Sequence, residues 1–173
     1  MILSEGLMRK RYLAPALALV LVPAAARSDD PPVVEHQPAL CTALGKPISL
    51  CAAISDDSGI ATARLYFRRA GEDYYAFVDM TFTGVSYCGT LPAPREKTKV
   101  IEYYVQSVDD AYQPLRTSTF RLPVQTEGLC EFPPLEKDPA KAAAIKVFGT
   151  NRQQGKKLDD GFVATGVTFV PVL

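Results

Sequence analysis

The chain has 173 residues, with 19 Lys plus Arg against 19 Asp plus Glu, one His, four Cys, no Trp and 47% hydrophobic positions. That is one ordinary domain's worth of chain, with enough apolar content for a core. A formal charge of zero without a long basic run argues against nucleic acid as a partner, because phosphate binding needs clustered Lys and Arg. A single histidine, His36, narrows the catalytic options.

Arg9, Lys10 and Arg11 precede an apolar stretch from Leu13 to Ala26 that closes on Ala24, Ala25 and Ala26. Charge, apolar run and small residues in that order predict a secretory signal peptide over residues 1–28, with Met8 as an alternative start. The apolar run is about 14 residues where a membrane-spanning helix takes about 20, and Pro15 and Pro23 interrupt it. Export to the periplasm or the extracellular space follows, with cleavage before Arg27 or Asp29. Only an uncleaved segment would tie the chain to a membrane. Removing it takes away three basic residues and one acidic one and leaves the mature chain about two charges negative. All four cysteines, Cys41, Cys51, Cys88 and Cys130, lie beyond the cut, and an even number in an exported chain reads as two disulfides. No CxxC pair occurs, which disfavours a zinc site or a redox motif. Three pairings are open at this point.

A short first strand is expected near Val33 to Leu40. Ile48, Leu50, Ala52 and Ile54 then alternate with Ser49, Cys51, Ala53 and Ser55, the period of two of a strand with one buried face. Asp56-Asp57-Ser58-Gly59 stops it. The next strand, Ala61 to Arg69, puts Ala63, Leu65 and Phe67 on one face and Arg64, Tyr66 and Arg68 on the other, before Gly71-Glu72-Asp73 reverses the chain. Tyr74 to Phe82, Val85 to Leu91, Val100 to Val108 and Thr117 to Gln125 follow. Pro92, Pro94 and Pro114 fall between strands, where proline removes no ladder hydrogen bond. Seven strands with this spacing predict an all-β antiparallel sandwich over residues 29–130.

Residues 131–173 read as a C-terminal extension. Pro133, Pro134 and Pro139 mark a linker, Asp138 is placed to cap a short helix running through Lys146, and the stretch from Asn151 to Asp160 is polar. Val163 to Val172 is apolar and alternating, suited to a hairpin with Ala144 to Gly149 or to addition at an open sheet edge.

The runs Ile54 to Ile60 (Ile-Ser-Asp-Asp-Ser-Gly-Ile), Arg64 to Arg68 (Arg-Leu-Tyr-Phe-Arg), Tyr87 to Pro92 and Ile101 to Asp109 (Ile-Glu-Tyr-Tyr-Val-Gln-Ser-Val-Asp) resemble bacterial immunoglobulin-like and fibronectin type III-like modules of exported proteins. The resemblance covers residues 33 to 126. It implies a seven-stranded immunoglobulin-like sandwich with a recognition, spacer or docking role, and it specifies fold better than function. In that family's strand order, the strands bearing Cys51 and Cys88 are antiparallel neighbours with both cysteines facing outward. The resemblance therefore implies a Cys51–Cys88 bridge. Cys41 is left for Cys130, tying the strand that enters the domain to the segment that leaves it. Loop-closure entropy makes each bridge worth about 4 kcal/mol as an upper figure.

The same strand order places Asp56 and Asp57 at the same end as Asp109 and Asp110. Four carboxylates with Ser58 and loop carbonyls suit a calcium ion, although the reading preferred for each aspartate is a local turn. A second candidate is a sheet face carrying Arg64, Tyr66, Arg68, Tyr75, Tyr104 and Arg121, extended by Phe77, Glu102, Gln106 and Thr119. Tyr and Arg dominate binding hot spots and stack on sugars, and they also make good cross-strand pairs on a solvated sheet. Catalytic signals are weak: His36 sits beside Glu35 without a G-x-S-x-G, HExxH or Cys plus His arrangement.

The expectation is an exported, non-catalytic binding module that recognises a protein or glycan of the cell envelope, with no cofactor and no nucleic acid. The alternative is a structural spacer or assembly subunit acting through its C-terminal strand. A third reading, a hydrolase, would use Asp57 and Asp109.

Overall fold

Strict alternation in the sequence becomes two facing sheets. The structure, a computed structural model, describes residues 30–126, 130, 144–152 and 157–171. The expected signal peptide, the linker prolines and most of the expected helix lie outside the described residues. The strands are β1 (Val33–Glu35), β2 (Thr42–Ala43), β3 (Ile48–Ser55), β4 (Ile60–Arg69), β5 (Ala76–Asp79), β6 (Thr81–Phe82), β7 (Tyr87–Leu91), β8 (Val100–Asp109), β9 (Pro114–Arg116), β10 (Phe120–Gln125), β11 (Ile145–Gly149) and β12 (Val167–Val170). A small sheet runs β1-β3-β7-β6. A large sheet runs β12-β11-β5-β4-β8-β10-β2, with β9 pairing to β8. Pairing is antiparallel except for β10 with β2 and β11 with β12.

The inward positions are those the alternation selects. Ile48, Leu50 and Ala52 of β3 face Ala63, Leu65 and Phe67 of β4 and Ile101, Tyr103 and Val105 of β8 in one core, which Leu122 of β10 also joins. At Gly89 of β7 the layers approach closely. A Cβ there would lie 3.2 Å from both Met80 and Val78, tighter than side chains ordinarily tolerate.

The seven strands expected over residues 29–130 are a correction, since ten form there among the described residues. One expected run divides because the chain changes sheets within it, and two short strands, β2 and β9, form outside the expected runs. After β1 the chain leaves the small sheet and joins the large one as β2 at Thr42, beyond the expected first run. The run Tyr74 to Phe82 divides at buried Met80, so that β5 pairs with β4 in the large sheet and β6 pairs with β7 in the small one. β9 and β10 both pair with β8, and Thr117 sits between them, its amide donating to Val105 O at 2.9 Å and its hydroxyl accepting from Val105 N at 3.1 Å.

The extension departs from expectation twice. Ile145 and Lys146, expected at the end of a helix, are strand, because Ile-Lys-Val-Phe alternates and Val147 fills the core. β11 and β12 form a parallel pair and not a hairpin. Parallel pairing needs a long crossover, which residues 150–166 supply. That crossover closes one end of the sandwich. Leu158 and Phe162 are buried in the same core, and the Phe162 ring meets Phe67 edge-on at 5.2 Å between centroids. Val163 N donates to Ala93 O at 2.8 Å, Arg95 N to Gly161 O at 2.8 Å, and the Thr98 hydroxyl to the same Gly161 oxygen at 2.7 Å. A Cβ at Gly161 would stand 2.5 Å from that hydroxyl and 2.7 Å from Asp159 Oδ1, so a side chain there would displace both hydrogen-bonding groups. Arg69 holds Asp159 at 3.4 Å, and that hydrogen bond holds the guanidinium pKa above its ordinary value.

The two disulfides are Cys51–Cys88 and Cys41–Cys130, the pairing the family resemblance implied. Cys51 stands directly opposite Cys88 in the β3–β7 ladder.

Candidate binding face

Alternation on β4 sends Arg64, Tyr66 and Arg68 away from the core, and on β8 it sends Glu102, Tyr104 and Gln106 the same way. Register then fixes who meets whom. Tyr66 lies opposite Tyr104 on one side and Phe77 on the other, Phe77 lies opposite Phe148, and Phe148 lies opposite Val170. The result is one transverse row across five strands, β8, β4, β5, β11 and β12.

The rings in this row cover one another. Tyr66 and Tyr104 stack with centroids 4.7 Å apart and planes within 7°. Phe77 and Phe148 stack at 4.9 Å, and Phe77 tilts against Tyr66 at 5.1 Å. Tyr75 meets Tyr104 edge-on at 5.0 Å. Cations cap the ends and flanks: Arg116 lies 3.7 Å from the centroid of Tyr104, Arg64 4.6 Å from Phe77, Arg68 4.4 Å from Tyr75, and Lys146 5.0 Å from Phe148. Each such cation–ring pair is worth about 0.5–1 kcal/mol at exposed sites. Tyr104 is buried, and burial raises its phenol pKa above the ordinary value, opposed by Arg116 and Arg68 and reinforced by the neighbouring phenols of Tyr66 and Tyr75.

One row further along, Glu102 binds two guanidinium groups. Arg68 reaches Glu102 Oε2 at 2.9 Å and Arg121 reaches Oε1 at 2.6 Å, while Arg68 also donates to Glu72 O at 2.7 Å. On the other side Arg64 pairs with Asp79 at 3.3 Å. Arg121 and Arg64 keep much of their surface in water, with side chains 64% and 40% exposed. Beside the row lies an open hollow of about 530 Å³ lined by Tyr66, Tyr75, Phe77, Tyr104, Gln106 and Asn151 among others.

All six residues expected on the face are brought together with the expected Phe77, and the sheet adds Phe148, Arg116 and Lys146. Phe148 and Lys146 are not expected on this face because the strand that theirs pairs against, β5, lies far earlier in the chain. Their alternation with Val147 was the available signal.

The acidic group fares differently. Asp56 accepts from Ser58 N at 2.8 Å and Ser58 Oγ at 2.7 Å, a local turn. Asp109 points inward, fully buried, its Oδ1 accepting from Gln113 N at 2.7 Å and its Oδ2 without a hydrogen-bond partner. Asp110 N donates to Gly59 O at 3.2 Å, so the two strand ends do meet. The carboxylates do not converge: among the described residues no three His, Cys, Asp or Glu side chains are grouped to hold a metal. The expected calcium set Asp56, Asp57, Asp109 and Asp110 is corrected on that ground, because Asp109 falls on the core side of β8 and Asp56 is engaged by its own loop. The carboxylate pair of the hydrolase reading presents only Asp57 to solvent.

His36 bridges the two layers beneath β1. Its Nδ1 lies 2.8 Å from Cys51 O and its Nε2 2.9 Å from the Tyr103 hydroxyl. Tyr103 is fully buried, which pushes its pKa up to about 12, opposed by a hydrogen bond from the Ala39 amide.

No family model matches the chain, and no curated protein matches it. Similar solved structures include two crystal structures of the SrpA adhesin from Streptococcus sanguinis, one of them a point mutant. Each is 13% identical to this chain, with TM-scores of 0.39 and 0.38, covering 58% and 60% of this chain. The matched region is 61% of each adhesin chain, so this chain spans less than two thirds of their length.

Proposed function

We propose that this chain is an exported, non-catalytic immunoglobulin-like module that binds a protein of the cell envelope through the outer face of its large sheet. The observation that carries the reading is the aromatic row with its cationic flanks. A sugar needs an open ring face, whereas these faces are taken by neighbouring rings and guanidiniums. What remains for a ligand is ring edges, hydroxyl tips and exposed guanidinium forks, the chemistry of protein hot spots. Export is supported by two disulfides in one chain, which persist in oxidising compartments. The immunoglobulin-like reading draws support from the first strand being shared between sheets and from the parallel pairing of β2 with β10.

The test reverses charge at two exposed positions, leaving the ring-on-ring stacking in place and removing, of the ring contacts, only the Arg64 cap on Phe77. Arg64→Glu with Arg121→Glu is expected to abolish capture of the partner from an envelope extract while the melting temperature moves little. Undiminished capture by the variant, or a glycan-array signal that survives it, overturns the reading.

A second reading has its own observation. β12 is a sheet edge without a charged residue, in a molecule whose β2 and β6 edges are two residues long. Lysines at Thr168 and Val170 would block strand addition there. Loss of a complex in that variant alone identifies assembly through the edge.

A further inference from the structure

We propose that the Cys51–Cys88 disulfide is a thiol–disulfide exchange site, attacked by an external dithiol at the Cys51 sulfur with Cys88 as the leaving thiolate. Exchange requires a thiolate to approach in line with the sulfur–sulfur bond, from the side opposite the leaving sulfur. In a cross-strand bridge that line runs across the sheet, so the neighbouring strands decide which sulfur is reachable.

On the Cys88 side the way is occupied. Thr81 of β6 stands directly opposite Cys88 in the ladder, on the same face. On the Cys51 side it is open. β1 pairs with β3 only from Val33 opposite Ser55 to Glu35 opposite Ala53, and the chain then leaves for the other sheet before it reaches the level of Cys51. The carbonyl of Cys51, which a longer β1 would have bonded, is met by the ring of His36 at 2.8 Å. Around the bridge the outward side chains on β3 are Ser49, Ala53 and Ser55, all small and exposed, so nothing bulky on that strand shields the sulfur. Cys51 is itself exposed, whereas Cys88, Cys41 and Cys130 are each only partly so.

The leaving group is also provided for. Ser86 Oγ lies 3.6 Å from Cys88 Sγ, and because a disulfide sulfur carries no proton the hydroxyl is the donor. A hydroxyl already aimed at that sulfur stabilises the thiolate that forms on it. The first step makes a bond between the external sulfur and Cys51 Sγ and breaks the Cys51–Cys88 bond, with the electron pair going to Cys88. The second thiol of the dithiol then attacks the mixed disulfide and releases Cys51. Overall the dithiol is oxidised by two electrons and the bridge is reduced by two.

The whole chain in its oxidised form, without denaturant, is the material for the test. A monothiol, 2-mercaptoethanol, is added briefly, the reaction is quenched with acid, and the adducts are mapped by peptide mass spectrometry. Adducts on Cys51 are expected to exceed those on Cys88 by about tenfold. Equal labelling, or a preference for Cys88, overturns the assignment. With dithiothreitol, opening of Cys51–Cys88 is expected at a rate that stays flat in sub-denaturing urea, and Ser86→Ala should slow it about threefold. A rate that climbs steeply with urea would mean that the bridge opens only in the unfolded chain, and the proposal fails. An unchanged rate in Ser86→Ala removes the role given to the hydroxyl and with it the choice of Cys88 as leaving group.

Discussion

The outer faces of the two sheets solve the same problem by opposite means. Both belong to strands that alternate with period two, and both lie over one core. The large sheet covers its outer face with rings and guanidiniums that pack on one another across five strands. On β3 and β7 the small sheet shows only Ser49, Cys51, Ala53, Ser55, Cys88 and Thr90, and it joins its two central strands with a covalent bond. Side-chain packing can be spread over a wide sheet and still leave tips for a ligand. A narrow four-stranded sheet with small side chains has little outer surface to pack, and a disulfide supplies cohesion without bulk.

Three experiments break or sharpen this contrast. The largest effect is expected from replacing Cys51 and Cys88 together by alanine, a loss of about 4 kcal/mol in denaturant unfolding. A loss under 1 kcal/mol would mean that the small sheet does not depend on its bridge. Next is the ring row. A double-mutant cycle with Tyr66→Leu and Tyr104→Leu should return a coupling of about 1 kcal/mol. Additive effects would reduce the stack to two independent burials. The smallest is Arg121→Ala, expected to cost under about 1 kcal/mol, because Glu102 keeps Arg68 and the pair is largely solvated.

A pH experiment probes the core the two faces share. Tyr103 carries a folded-state pKa of about 12 against an ordinary 10.0. Above pH 10 the unfolded chain releases this proton while the folded chain keeps it. The stability it contributes is therefore whole below pH 10 and lost as pH rises through about 12. Unfolding followed across that interval should show the decline, and Tyr103→Phe should flatten it.

Much of this architecture was legible in the sequence. The buried sets Ile48, Leu50, Ala52 and Ala63, Leu65, Phe67 follow from alternation, and the outward run Arg64, Tyr66, Arg68 follows from the same count. What alternation does not carry is partner choice. Nothing local to Met80 announces that the chain changes sheets there, and nothing near Phe148 says that its ring will lie on Phe77, about seventy residues earlier. Asp109 shows the limit from the other side. Counting by twos from Ile101 puts it inside, and that parity, more than its acidity, decides its surroundings.

The crossover that buries Leu158 and Phe162 bears on how the molecule can be cut. A fragment ending at Thr126 would keep every strand of the family-like region and still lack its cork, leaving Phe67 facing water through the uncapped end. Such a fragment should precipitate or bind hydrophobic dyes, and a soluble version has to run past Val163.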